Sequence, residues 1–293
     1  MKSIQDIHQT VVNDTILTEE DATMIKEAVV ETAKASLNIR EAIPVNPINE
    51  GTQIWEARKV DSDSETEAEL VSKGSDYPMV SMEKTPQTYN VFKIGVGFEL
   101  FREDILSARM HNQDLPTQSA RMAARLVAEK ENNLLLNGDT IVDGLLAEAH
   151  ATNTSNATDD WITDSFTAQE VQDDIIDTLD ELGKGLYGGP VNLILSKSRF
   201  NYLQRIDSNV DRNFFSILSD TANIQNIYWD PDMPDSKALA VVSRPEVLEY
   251  GLAEDLNTVP IEDGDDEVQE FKVRVRGALA VYQNEGLVEL DGI

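Results

Sequence analysis

From Thr117 to Leu136 the chain carries neither Gly nor Pro, and Met122, Leu126 and Val127 recur at helical spacing among Ala120, Ala123, Ala124 and Ala128. Pro116 suits the first turn of such a helix, and Gly138 after Asn137 suits its left-handed C-terminal cap. Twenty residues at 1.5 Å each span roughly 30 Å, long for a chain of this size. A helix of that length acts as a beam. A strand-like FELFREDIL begins at Phe98 and leads into it, and NGDTIVDGLLA ends it sharply by Ala147. The order strand, beam and abrupt stop points to a scaffold protein and away from an enzyme.

The text before the beam divides in two. Residues 18 to 37 read as a helix: Thr18, Glu19, Glu20 and Asp21 supply an acidic first turn, and Ile25, Ala28, Val29 and Ala33 follow at helical spacing. Asn38 to Asn49, with Pro44 and Pro47, reads as an extended connector, so residues 1–50 form an arm. From Gly51 to Gly97, TQIWEARKV and QTYNVFKIGV are β-rich and flank a polar segment poor in bulky apolar groups. Two strands around a polar tip make a long hairpin that buries little surface by itself and needs a partner to lie on. Trp55, Tyr77, Met79, Val80 and Met82 are its candidate contact residues, with burial of Trp55 in the local core an equal alternative.

Beyond the beam, the polar ATNTSNATDD from Ala151 to Asp160 reads as a loop and as the clearest internal boundary. Residues 166 to 290 then alternate element types. Thr167 to Leu182 is helical in pattern, VNLILS is a buried strand, KSRFNYLQRI a short helix, and NIYW, ALAVV and VLEYGL are strands. After the acidic IEDGDDEV, FKVRVRGALAVYQNEGLVEL closes the chain as two strands around a turn. The fold class is α+β, without an internal repeat.

Composition narrows the function. Of 293 residues, 54 are acidic and 24 basic, a formal net charge of -30 with hydrophobic content of 41%, which is enough for a real core. Self-repulsion on that scale opposes compaction in dilute salt and is screened in brine, where the Debye length falls to about 3 Å at 1 M. The charge predicts adaptation to molar salt. It also argues against sequence-specific nucleic-acid binding, which needs Lys and Arg to displace counterions, without forbidding enclosure of DNA. The chain has no cysteine, so disulfides, thiolate metal sites and cysteine nucleophiles are excluded. MKSIQDIHQT lacks an apolar signal core, and no run approaches the roughly 18 apolar residues of a membrane span, so synthesis in the cytoplasm and no membrane partner are expected.

Catalytic signatures are missing. His8, His111 and His150 lie in unrelated segments without paired spacing and read as solvated surface histidines. GVGFEL and GKGLYGGP are glycine-rich but neither forms a strand-to-helix phosphate cradle with its Lys-Ser/Thr. No GxSxG occurs, and carboxylates are too numerous for any pair to stand out. DSDSE and EDGDDE do not match a calcium loop, so a diffuse cation atmosphere is expected in place of a bound metal. The expectation is no catalytic residue, no metal and no cofactor. The sequons at Asn13, Asn153 and Asn156 read as chance occurrences. The scarce cations are more telling. Arg102, Arg109, Arg121, Arg125 and Lys130 lie on or near the beam, with Arg121 and Arg125 on one face and Glu129 one turn on. Lys272, Arg274 and Arg276 line one face of the closing strand, opposite Phe271, Val273 and Val275. They are expected to meet carboxylates within the domain or across a subunit boundary, or to form a solvated strand face.

FELFREDI before the beam, and EKENNLLLNGDTIVDGLLA at its end, resemble the entry and exit of the spine helix in the Hong Kong 97 type capsid fold, shared by tailed-phage major capsid proteins and encapsulins. The resemblance covers the whole chain as architecture. It implies an N-terminal arm over 1–50, an extended hairpin loop over 51–97, a peripheral domain with the spine helix over 98–160, an axial α+β domain over 161–260 and a return to the peripheral domain over 261–293. It further implies hexamers and pentamers closing into an icosahedral shell around packaged double-stranded DNA. Portal or decoration proteins would be further partners, and assembly in the host cytoplasm would yield the capsid of a virion. With the acidic surface, the expected source is a tailed virus of a haloarchaeon, and the alternative is an encapsulin-type compartment. Trp55, Tyr77, Met79, Arg121, Arg125, Lys272, Arg274 and Arg276 are then the candidate subunit-interface residues. Some relatives fuse neighbours through a Lys of the loop; Lys73 and Lys84 lie in that region, but no partner Asn or carboxylate matches.

Overall fold

The computed structural model describes residues 19–34, 38–62, 82–111, 117–162, 168–184, 189–207, 212–219, 224–261 and 268–293. The acidic start at Glu19 opens α1 (Glu19–Lys34), and Ile25, Ala28 and Val29 form its buried stripe. Where an extended connector is expected from Asn38, the chain first makes one helical turn, α2 (Asn38–Ala42), which buries Ile39 and Ala42. Pro44 disfavours helix at the residue before it and turns the chain into β1 (Val45–Pro47).

A hairpin forms, but the expected second strand QTYNVFKIGV is divided at Val91 between two sheets. β2 (Ile54–Ser62) and β3 (Met82–Asn90) pair antiparallel without interruption from Ile54 opposite Asn90 to Ser62 opposite Met82, as a two-stranded sheet of their own. After Val91, β4 (Phe92–Phe101) continues, and FELFREDIL then divides: Arg102–Met110 is helix α3. Glu103 and Asp104 in its first turn complement the helix dipole, which is why an apparently alternating stretch switches to helix there.

The beam is α4 (Gln118–Asn137), twenty residues that bury Ala120, Ala123, Ala124, Val127 and Ala128. Met122 and Leu126, also at helical spacing, face outward. Gly138 ends the helix at φ +76°, donating its N–H to the Leu134 carbonyl at 3.0 Å. GLLA does not close the segment; it opens α5 (Leu145–Thr152). The polar Ala151–Asp160 loop likewise contains a strand, β5 (Thr154–Asn156). At a sheet edge, polar side chains point outward at no burial cost.

The remaining elements alternate in type: α6 (Ala168–Lys184), β6 (Val191–Ser196), α7 (Lys197–Leu203), β7 (Ile206–Asp207), β8 (Arg212–Asn213), α8 (Phe214–Ser219), β9 (Ile224–Asp230), β10 (Lys237–Val242), β11 (Leu248–Pro260), β12 (Val268–Val281) and β13 (Leu287–Asp291). Of these, β7, β8 and α8 are additional to those expected, and the KSRFNYLQRI helix ends at Leu203. One sheet has the order β5-β13-β10-β6-β9, another β1-β11-β12-β4. All six residues of β6 are buried, the signature of a strand covered on both faces.

Two compact units result, one of Met1–Asn38, Lys93–Asn133 and Ala253–Gly277, the other of Ile39–Phe92, Leu134–Leu252 and Ala278–Ile293. The first packs Phe98 flat on Phe271, ring centroids 5.1 Å apart, with Ile105, Val127, Val273 and Val275 fully buried. The second is centred on β6, β10 and β13, with Trp161, Ile175 and Leu135 closing the core. Buried Asp174 holds Trp161 there, accepting from its indole Nε1 at 2.9 Å and from the Thr158 hydroxyl at 2.7 Å. No helix among the described residues is long and apolar enough to cross a membrane.

Candidate subunit interface

The hairpin has an anchored face and an open one. At its root the Trp55 ring lies against Gly251 so closely that a Cβ there would sit 2.7 Å from Trp55 Cε3. Trp55 leans on Tyr89, and Tyr89 meets Tyr282 edge-on, with centroids 6.2 Å apart in both pairs. The Tyr89 hydroxyl donates to the Val281 carbonyl at 2.8 Å. Burial, and then the Glu148 carboxylate, push its phenol up to about 12. Tyr282 donates to Glu249 Oε2 at 3.2 Å, and Asn46 Nδ2 donates to the same oxygen at 3.1 Å; burial again raises the phenol. On the opposite face Ile54 is 56% exposed, with Glu56, Thr88 and Asn90 exposed beside it.

Next to this root the Gly138–Gly144 turn closes on itself. Gly138 bridges antiparallel to Asp143, and Asp139 donates its N–H to the Val142 carbonyl at 2.8 Å. A Cβ on Gly144 would lie 2.2 Å from the Gly138 nitrogen, so the crossing requires glycine. At the tip Ile141 is 74% exposed. Turn and root enclose a cleft of about 340 Å³, lined by Gln87–Asn90, Ile141–Asp143, Glu148, Leu279, Val281 and Asn284. Asn284 Nδ2 donates to Glu148 Oε2 at 2.6 Å across it.

The cations occupy two further surfaces. On α4, Arg125 Nε donates to Glu129 Oε1 at 2.6 Å, one turn on, and Arg121 lies 3.9 Å from Glu31 of α1. Both arginines are more than half exposed, beside exposed Met122 and Leu126. On β12, Lys272, Arg274 and Arg276 alternate with buried Phe271, Val273 and Val275, and Arg274 donates to Glu254 Oε1 from Nε at 2.8 Å. Arg274 thus meets a carboxylate of its own unit. Tyr77 and Met79, like Lys73 and the hairpin tip, lie outside the described residues. Among the described residues no cluster of His, Asp and Glu is placed to hold a metal ion. His150 is less isolated than its sequence context implies: its Nδ1 is 3.1 Å from Oε2 of fully buried Glu289, whose other oxygen receives Lys237.

Sequence reasoning missed Gly251, Tyr89 and Tyr282 as hairpin anchors. VLEYGL and ALAVYQN announce strands, but alternation does not say which strand meets the hairpin. It also passed over Ile141, whose exposure depends on the Gly138 to Gly144 crossing.

The family model described as Linocin_M18, encapsulating protein for peroxidase, matches residues 13–272. The chain belongs to this family. No curated protein matches it. Among solved structures, this Linocin_M18 member is similar to the virus-like particle from Pyrococcus furiosus, with TM-score 0.70 and 14% identity over 93% of this chain and 99% of that one. It is also similar to the capsid of Myoviridae phage XM1, with TM-score 0.67 and 15% identity over 88% and 92% of the two chains. For Mycobacterium phage Bobi the TM-score is 0.63 with 13% identity over 87% and 90%. The fold is therefore the Hong Kong 97 type capsid fold.

Proposed function

We propose that this Linocin_M18 family member is a structural subunit that assembles with copies of itself into a closed icosahedral shell, built for molar salt, and that the shell is an encapsulin-type protein compartment. The observation that carries this reading is the family match across residues 13–272. The hairpin supports it physically: among the described residues β2 and β3 form a two-stranded sheet, and their open face presents Ile54. A neighbouring copy would cover that face. Trp55, Arg121, Arg125, Lys272, Arg274 and Arg276, together with Tyr77 and Met79, are the proposed interface positions. The proposed division is arm, extended loop, peripheral domain, axial domain and peripheral return.

A second reading rests on the likeness to phage capsids. In it the shell is the capsid of a tailed virus of a salt-loving host, made of hexamers and pentamers around double-stranded DNA, with portal or decoration proteins at its openings and surface. Purified particles separate the two readings by ultraviolet absorbance. A protein-like spectrum after nuclease treatment supports the compartment; a nucleic-acid spectrum that survives nuclease supports the capsid.

A further inference from the structure

Two exposed surfaces of this chain differ in charge, and each carries exposed apolar side chains. One is the outward face of α4, where Arg121 and Arg125 flank Met122, 55% exposed, and Leu126, 40% exposed. The other is the cleft beside the hairpin root, rimmed by Ile141 and bearing Asp143 and Glu148, with neither Lys nor Arg among its described lining residues. In a chain with 24 basic residues against 54 acidic ones, a face that joins two arginines to two apolar side chains is a scarce resource.

We infer that these surfaces meet between copies: the Arg121–Leu126 face of α4 in one subunit docks on the Ile141 turn and acidic cleft of the next. The inference rests on the shell reading above and adds which two surfaces join. Where one copy offers only its α4 face and the next only its cleft, the contact is heterologous, the type that generates a ring when its rotation closes. The Gly138 to Gly144 crossing suits the role, since a turn held by its own backbone loses little conformational freedom when Ile141 is covered. Opposite charges set register while Ile141, Met122 and Leu126 leave water together, and the apolar part persists in brine. Arg121 and Arg125 would exchange or share their present contacts with Glu31 and Glu129, which are exposed and weakly held.

The absence of native cysteine makes the test clean. Ile141→Cys and Leu126→Cys chains are made separately, mixed during assembly at high salt and oxidised, with Ile162→Cys plus Leu126→Cys as the control pair. The expected result is a shift of monomer to covalent dimer for the Ile141→Cys and Leu126→Cys mixture, and none for either variant alone or for the control. Shells that form without that dimer, or with equal dimer in the control, overturn the inference and leave the shell reading standing. Unmodified chain that forms no shell defeats both. If the cysteine chains do not assemble, charge reversal decides: Asp143→Lys should lose shells and Arg125→Glu in the same chain should regain them, and failure of that rescue overturns the docking.

Discussion

Gly251 and Tyr89 carry the hairpin root at the scale of single residues. A side chain at position 251 must displace the Trp55 ring, because even a Cβ falls 2.7 Å from Cε3. Gly251→Val is expected to cost about 1–3 kcal/mol and to alter Trp55 fluorescence, while denaturant melts report the stability loss. The Tyr89 phenol gives a pH signature. Its folded value is pushed up to about 12 from an ordinary 10, so the neutral form favours the folded state. That contribution is whole below pH 10 and is lost as pH rises through about 12. Alkaline unfolding monitored by tyrosinate absorbance should therefore lose one late-titrating group in Tyr89→Phe. Of these residues the sequence announces Trp55 as a contact, but its seat on Gly251 and the packing of Tyr89 on Tyr282 join distant parts of the chain, beyond the reach of local pattern.

Elements were legible to the extent that their signals are local. The beam was readable because a run without Gly or Pro, a starter and a cap all agree, and the hairpin because two β-rich runs flank a polar tip. The misreadings came where tertiary context decides. REDIL is helix because its acids sit at a helix start, and the short polar strand β5 exists because β13 offers it a parallel edge from Glu289 to Asp291. Two predictions belong here. Gly144→Ala forces a Cβ into the Gly138 backbone and is expected to destabilise by about 3 kcal/mol or more, read as a lowered midpoint in denaturant. Deleting residues 60–80 removes the far part of the hairpin and leaves its root; the expected product is a folded, soluble subunit that no longer assembles, read by size-exclusion chromatography and circular dichroism. Normal shells from that deletion would exclude the hairpin from the interface.

The whole molecule is governed by its charge. With a formal net charge of -30, repulsion within the subunit adds to repulsion between subunits, and both are relieved by salt. Melting temperature is expected to rise from millimolar to molar potassium chloride; a flat dependence would show that the acidic surface is unrelated to salt. The order of elements is enough to read α+β architecture, while shell-type organisation is what the resemblance to the Hong Kong 97 type capsid fold implies. The interfaces were less legible, since a helix face such as Arg121 to Leu126 acquires its meaning only from what covers it. The most direct test is negative-stain microscopy of the purified chain at molar salt. Closed, uniform, icosahedral particles are the predicted result, and a stable monomer at every salt and protein concentration would contradict the account.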